Sequence, residues 1–320
     1  MVGTRVSQPI VLLGAPRSGT TMLFNVLSGH PDLWSLYRES DLIIEKFFPV
    51  RMEPGCSDVV ESDAVSDECA EEMAQAFVTS VGNMGSGHFA FSNAMSSFLR
   101  TATGRRLVQL PGISKLRLSM IFSRMGSQKD KKTIRVVEKT PENCFRVQML
   151  ERVFPDARYI FLTRDPRKSI ASIYTGWTES EEFSRFEFPG DFTIEEYGGS
   201  SWCFGLIPGW EDLNGAELIE VCARQWLSYN VRCRTDLPTD ADRSLTVSYE
   251  DLIARPGELL DRIADWSGLD PRPFERFRES LPVVNTFTNP RDDKWRKLEA
   301  QIKTVEPVFG DEASQLGYQI

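Results

Sequence analysis

The sequence contains only two histidines, His30 and His88, and no two of its six cysteines are separated by two residues. Zinc sites are usually built from closely spaced cysteines and histidines, so we expect no metal site. Dispersed cysteines of this kind are typical of reduced thiols. Residues 1–8 are short and polar, so we expect no signal peptide, and no apolar run is long enough to cross a bilayer. We therefore expect a cytoplasmic protein that does not bind a membrane.

The chain also lacks an excess of basic residues. It has 37 Lys and Arg against 46 Asp and Glu, which gives a net charge of −9. A nucleic-acid-binding protein usually carries a basic surface, so we expect no nucleic-acid partner. A small anionic ligand is still compatible with this charge, because local basic residues can dominate one site.

Apolar runs that alternate with helical patterns predict the fold. Buried strands are predicted at 10–13, at 131–140 and at 157–166, with another that ends near Glu39. This alternation predicts an α/β fold, a P-loop-like, doubly wound and mainly parallel sheet flanked by helices. We expect a single domain over residues 1–320, with a helical insertion at 51–130 and a long, aromatic-rich, lid-like loop at 176–215.

The segment "GAPRSGTT", which follows the first strand, has the composition of a phosphate-binding loop. Gly14 and Gly19 allow the backbone to approach a ligand, and the start of the next helix attracts anions. Arg17 adds a positive charge, and Thr20 and Thr21 add hydroxyl donors. A nucleoside-triphosphate loop would carry lysine after the second glycine, where it reaches the β- and γ-phosphates. The loop therefore predicts a phosphate ligand without a γ-phosphate.

Polar residues lie at the carboxyl ends of three of the predicted strands. They form the clusters 17–21, 139–143 and 164–172. Ligands of doubly wound sheets bind at the carboxyl ends of the strands, so we expect the three clusters to meet in one site.

The segments "GAPRSGTTML", "VVEKTPENCFR" and "FLTRDPRKSIAS" occur in the order seen in sulfotransferases that use 3′-phosphoadenosine 5′-phosphosulfate (PAPS). The chain resembles the bacterial branch with the pattern Glu-Lys-Thr-Pro-Glu-Asn over residues 9–48 and 135–320. The resemblance implies PAPS as the sulfuryl donor, adenosine 3′,5′-bisphosphate as the product, and no metal. It implies these donor-binding residues: Arg17, Ser18, Gly19, Thr20 and Thr21 at the 5′-phosphosulfate, Arg164 and Ser172 at the 3′-phosphate, and Lys294 and Arg296 in the closing C-terminal segment.

The resemblance also implies catalytic roles. Lys139 and Arg17 would stabilise the negative charge on the leaving phosphate. Many relatives carry a histidine base two residues after this lysine, but this chain has Pro141 there. Other branches use a glutamate at the end of the second strand, which corresponds to Glu39. Glu39 is therefore the first candidate for the base, and Glu142 and His88 are the alternatives.

Relatives with this pattern act in natural-product pathways, which implies an acceptor hydroxyl on a small molecule. The alternative is a hydroxyl on a metabolite that is tethered to a carrier protein, for example the β-hydroxyl of a polyketide. The 176–215 loop would then line and close the acceptor side, and Trp226 either stacks on adenine or belongs to the core. Two other interpretations remain: a P-loop small-molecule kinase, and a non-catalytic nucleotide-binding protein of the same fold.

Overall fold

The fold is built on a central β-sheet with helices on both faces. A computed structural model describes residues 4–36, 39–82, 132–281 and 293–320. The strands are β1 Arg5–Val6, β2 Ile10–Leu13, β3 Trp34–Leu36, β4 Val81–Gly82, β5 Thr133–Ile134, β6 Val136–Lys139, β7 Arg158–Thr163, β8 Ser184–Glu187, β9 Ser201–Cys203 and β10 Ser244–Ser248.

Helices connect most of these strands. The α-helices are α1 Thr20–Leu27, α2 Asp41–Ile44, α3 Asp67–Ser80, α4 Val147–Val153, α5 Pro166–Glu179, α6 Leu218–Asp236, α7 Tyr249–Ala254, α8 Pro256–Ser267, α9 Glu299–Thr304 and α10 Glu306–Gln315. Short 3-10 helices lie at Ser62–Ala64, Pro141–Phe145, Glu181–Phe183, Trp210–Leu213, Arg272–Phe277 and Lys294–Leu298. Among the helices of the described ranges, none has both the length and the apolar character needed to cross a bilayer.

The central sheet has the strand order β10-β7-β2-β6-β3-β4 within the described residues. Every neighbouring pair is parallel except β3 with β4, which is antiparallel. Strand β2 lies in the middle, and its Ile10 is in register with Val137 of β6 and Arg158 of β7. The predicted α/β class and mainly parallel sheet are confirmed. The carboxyl ends of β2, β6 and β7 therefore lie side by side.

Strand β2 is apolar throughout because both of its faces are buried. Ile10 and Leu12 pack in a cluster with residues of α1 and α8, whereas Val11 and Leu13 pack in a second cluster that contains Trp202. Alternate residues of a strand point to opposite faces of the sheet, so one four-residue segment joins the two cores.

The predicted insertion at 51–130 is helical only in part. Helix α3 buries Ala70, Met73 and Phe77, as its spacing predicted. The next two residues, however, form β4, an antiparallel edge strand on β3. Residues 83–130 lie outside the described residues.

The predicted lid-like loop over 176–215 contains regular structure between its irregular stretches. Helix α5 continues to Glu179, and β8 and β9 form an antiparallel hairpin. Aromatic packing explains why this segment forms regular structure. The Phe183 and Phe204 rings stack with centroids 4.7 Å apart, and the Trp202 ring meets the Trp177 ring of α5 edge to face. Closure of this segment over an acceptor stays a prediction.

A buried ion pair fixes several chain segments beneath this hairpin. Arg146 and Asp58 are fully buried, and the Arg146 guanidinium donates to the Asp58 carboxylate. The other Asp58 oxygen accepts from Arg185 Nη1 and from the Leu206 amide, each at 2.7 Å. The contact joins the 51–66 segment, the start of α4 and the hairpin. Arg146 itself lies between the 3-10 helix Pro141–Phe145 and α4.

We expect the substitution Arg146→Met to lower the free energy of unfolding by about 3–5 kcal/mol, because it leaves a buried carboxylate with one charged partner fewer. The matched control is Arg152→Met. Arg152 pairs with Asp67 at 2.6 Å, but the Asp67 side chain is 97% exposed, so this change should cost less than about 1 kcal/mol. Urea unfolding of the two variants measures the difference, and equal losses would contradict the role of the buried pair.

Candidate active site

The loop between β2 and α1 has the geometry of an anion site. Gly19 precedes α1 with φ of 97°, and an added Cβ there would lie 2.5 Å from the Tyr249 ring. Gly19 has no side chain to cap the helix. The Met22 amide donates to the Gly19 carbonyl oxygen, so the Thr20 and Thr21 amides are the first-turn donors for an anion. Arg17 also adopts a left-handed conformation, with φ of 68°. Ser18 and Thr20 are buried and Thr21 is half-buried.

Two arginines from different strand ends meet in this loop. Arg164, directly after β7, donates from Nη1 to the Arg17 carbonyl oxygen at 2.7 Å. Arg17 donates from Nε to Ser172 Oγ of α5 at 3.3 Å. Burial, and then the like charge of Arg164, lower the pKa of Arg17. Arg164 Nε is buried and has no hydrogen-bond acceptor within the described part of the chain. The structure thus brings Arg17, Ser172 and Arg164 together, as the sequence predicted.

Aromatic rings cover both guanidinium groups. The Arg164 guanidinium carbon lies 4.5 Å from the centroid of the Tyr249 ring, and that of Arg17 lies 5.3 Å from the Phe183 ring. Sequence reasoning did not identify Tyr249. Its position directly after β10, at the same edge of the sheet, was the signal that could have found it.

Lys139 and Glu39 form an ion pair at the same edge. Lys139 ends β6, and its Nζ contacts Glu39 Oε1. The Lys139 side chain is 9% exposed, whereas that of Glu39 is 44% exposed. The carboxylate is therefore open to a second molecule, while the ammonium group lies deeper.

Beneath this pair lies a network of buried polar side chains. Thr140 Oγ1 donates to Glu138 Oε1 at 2.5 Å and accepts from the Ser40 amide at 2.7 Å. Asn143 Nδ2 donates to the other Glu138 oxygen at 2.6 Å. Burial raises the pKa of Glu138. Sequence reasoning noticed the motif that contains three of these residues but did not identify the network.

The turn that follows Lys139 also contacts the loop between β2 and α1. The Gly14 amide donates to Cys144 Sγ at 3.2 Å, and Cys144 is fully buried. An added Cβ at Gly14 would lie 2.6 Å from the Leu162 carbonyl oxygen, so glycine is required at this approach of β2 to β7.

Glu142, one alternative base, lies in a different environment from Glu39. Its side chain is 9% exposed and accepts from Arg185 Nη1 at 3.2 Å. Burial raises its pKa. The other alternative, His88, lies outside the described residues.

The C-terminal candidates lie on a 3-10 helix that packs against α5, the helix that carries Ser172. Lys294 begins this 3-10 helix. The Arg296 side chain is 64% exposed, and its contacts in the described residues are with Trp295 and with Glu299, at 3.8 Å. A contact of Lys294 or Arg296 with the donor stays a prediction.

Trp226 belongs to the core. It is fully buried, and its ring meets the Phe309 ring edge to face at 5.9 Å. Of the two interpretations, adenine stacking is therefore not supported.

A protein-family model described as the sulfotransferase family matches residues 9–273. The chain belongs to the sulfotransferase family. This membership supports sulfotransferase activity over the kinase alternative. No curated protein sequence matches the chain.

Solved sulfotransferase structures show low overall similarity to this family member. The sulfotransferase domain from the curacin biosynthetic pathway is 16% identical, with 99% of this chain and 100% of that chain covered and a TM-score of 0.46. Sulfotransferase STF9 from Mycobacterium avium is 16% identical, with 98% and 78% covered and a TM-score of 0.48. Mouse sulfotransferase SULT7A1 complexed with PAP is 10% identical, with 92% and 64% covered and a TM-score of 0.34. These scores are below 0.5, so the assignment depends on the family model.

We expect Gly19→Ala to destabilise the protein by more than the cost of its backbone conformation, because the added Cβ would collide with the Tyr249 ring. Gly317→Ala is the matched control, since Gly317 has φ of 85° and no atom within 4 Å of an added Cβ. The control should cost about 1–2 kcal/mol, and Gly19→Ala about 1–3 kcal/mol more. Thermal unfolding measures both. Equal losses would show that the loop has room for a side chain.

Proposed function

We propose that this sulfotransferase transfers a sulfuryl group from PAPS to a hydroxyl and releases adenosine 3′,5′-bisphosphate. The observation that carries the proposal is the meeting of Arg17, Ser172 and Arg164 at the start of α1. Three donors from the ends of two strands and from one helix form a site for an anion.

The arginines themselves favour a phosphate ligand. Two guanidinium groups lie close together, and the like charge of Arg164 helps to lower the pKa of Arg17. An anion between them would relieve this repulsion. Arg164 Nε, buried without an acceptor in the described residues, would donate to the same ligand. The donor residues of this chain therefore fit a phosphate ester.

The loop favours a donor with one 5′-phosphate over a nucleoside triphosphate. Thr20 stands where a triphosphate loop carries its lysine, and the basic side chain of the loop is Arg17. When bound, PAPS supplies a sulfuryl group attached to a single 5′-phosphate, which suits this loop.

Lys139 is the cation placed beside the reacting atoms in this proposal. It ends the strand next to β2, and its ammonium group is nearly buried. A fixed positive charge in a site of low dielectric constant stabilises negative charge that grows on a leaving phosphate. Arg17 would share this role from the phosphate loop.

Glu39 is the proposed base. A base must reach the acceptor hydroxyl, and the Glu39 carboxylate is the more exposed of the two described candidates. Glu142 is held by Arg185 in the interior, where it contributes to a buried ion-pair cluster. The acceptor proton would pass to a Glu39 carboxylate oxygen as the oxygen attacks sulfur.

The proposed acceptor is a small molecule or a metabolite tethered to a carrier protein, in the cytoplasm. The net charge of −9 disfavours a polyanionic acceptor, because long-range repulsion would slow its association. The acceptor-side carboxylate of Glu39 adds locally to the same repulsion.

The donor is tested first by calorimetric titration with adenosine 3′,5′-bisphosphate, without magnesium, beside ATP with magnesium. We expect the bisphosphate to bind and Arg164→Ala to weaken binding about 10- to 100-fold through loss of charge-assisted hydrogen bonds. Arg158→Ala is the matched control, since Arg158 begins the same strand and bonds the Trp266 carbonyl oxygen far from the loop. Binding of ATP without the bisphosphate would overturn the proposal.

We expect Glu39→Gln to lower the turnover of PAPS about 10²- to 10⁴-fold with little change in bisphosphate affinity, because a proton acceptor is lost. Turnover is measured as bisphosphate release, with water as the acceptor and then with a panel of hydroxyl compounds. Glu142→Gln should lower the melting temperature more than Glu39→Gln does. Wild-type turnover in Glu39→Gln would transfer the base role to another residue, and bisphosphate binding without any turnover by the unmutated protein would favour a non-catalytic role.

A further inference from the structure

Both members of the Lys139–Glu39 pair precede a residue of the buried polar network. Thr140 follows Lys139, and Ser40 follows Glu39. The Ser40 amide donates to Thr140 Oγ1 at 2.7 Å, across 100 residues of chain. One hydrogen bond therefore connects the backbone beside the proposed base to the side chain beside the catalytic lysine.

The Ser40 amide fixes the direction of one hydrogen bond in this network, whereas either atom can donate in the 3.1 Å contact between Ser40 Oγ and Thr140 Oγ1. The amide of Ser40 can only donate, so Thr140 Oγ1 accepts from it and uses its own proton for Glu138. Asn143 Nδ2 donates to the second Glu138 oxygen. An ionised Glu138 accepts both bonds, so the carboxylate orients the Thr140 hydroxyl toward itself and its lone pairs toward the Ser40 amide.

Burial makes this arrangement rigid. Ser40, Thr140 and Asn143 are each 0% exposed, and Glu138 is 3% exposed. Water does not compete for the bonds, and breaking any one leaves a buried polar group unsatisfied. Glu39, in contrast, is 44% exposed, so the place from which its side chain starts depends on how its backbone is held, and its contact with Lys139 selects the rotamer.

We propose that Thr140 and Ser40, oriented by Glu138, are positioning residues that hold the backbone of Glu39, so that its carboxylate stays beside Lys139 within reach of the acceptor hydroxyl. The proposal rests on the proposed function, because it takes Glu39 as the base and Lys139 as the cation. Thr140 acts through the Ser40 amide and contacts neither the acceptor nor the donor. A displacement of about 1 Å at a catalytic group can lower a rate about 100-fold, so loss of a hydroxyl that does not contact the substrates can still slow the reaction.

The first experiment measures hydrogen exchange of the Ser40 amide in Thr140→Val, which keeps the shape of the side chain and removes its hydroxyl. We expect exchange to accelerate about tenfold, since the amide loses its acceptor. Thr140→Ser should restore slow exchange. Thr175→Val is the control: it removes a hydroxyl that bonds the Ala171 carbonyl oxygen within α5, and it should leave Ser40 unchanged. Wild-type exchange at Ser40 in Thr140→Val would overturn the proposal.

The second experiment separates positioning from folding. With water as the acceptor, Thr140→Val should lower kcat for PAPS about 100-fold while the KM for PAPS and the bisphosphate affinity stay near wild type. Thr140→Ser should recover most of the rate. The Thr140→Val/Glu39→Gln double variant should be no slower than Glu39→Gln alone, because Thr140 acts through Glu39. The positioning role would be overturned if the double variant lost the product of the two single-variant factors in kcat, or if Thr140→Val and Thr140→Ser lost the same factor.

Glu138→Gln serves if Thr140→Val does not fold. It keeps the side-chain shape but places an NH₂ group opposite either the Thr140 hydroxyl or the Asn143 amide, both of which now donate to Glu138. The network should loosen, and exchange of the Ser40 amide should accelerate. The exchange measurement needs neither PAPS nor an acceptor. Failure of the unmutated protein to bind the bisphosphate would therefore refute the proposed function alone, whereas slow exchange in both variants would refute this inference alone.

Discussion

Parallel pairing of β2 with both β6 and β7 is the constraint on which the site depends. Neighbouring strands of a sheet lie about 4.8 Å apart, so the residues that follow three adjacent strands have little room to separate. Arg17, Lys139 and Arg164 follow these strands in a chain of net charge −9. The sheet concentrates positive charge at one edge although the whole molecule is acidic, and a ligand that carries phosphate complements that edge.

The turn Pro141–Phe145 connects the parts of the site to one another. Cys144 bonds the phosphate loop through the Gly14 amide, Asn143 bonds Glu138 under the lysine, and Glu142 bonds Arg185 of the hairpin. Buried polar side chains stabilise a fold less than apolar ones of equal size, but they accept only one arrangement of partners. The turn therefore trades some stability for a defined relation between the donor loop, the proposed base and the hairpin.

Local patterns predicted the parts of this protein that depend on neighbouring residues. The apolar run of β2, the glycines of the loop and the strand that precedes Arg164 each carry their signal within a few positions, and the structure agrees with them. The β8–β9 hairpin depends on ring contacts such as Phe183 with Phe204, which no local spacing encodes. The bond from Ser40 to Thr140 spans 100 residues, so only the folded sheet reveals it.

The ion pair between Glu39 and Lys139 has a consequence for the sequence in which substrates bind. In the structure the Lys139 ammonium group is in contact with the Glu39 carboxylate. Under the proposed roles, a phosphate brought to Lys139 would compete with that carboxylate for the ammonium group. The arrival of the donor would then free a Glu39 oxygen for the acceptor hydroxyl, so the pair favours binding of the donor before the acceptor.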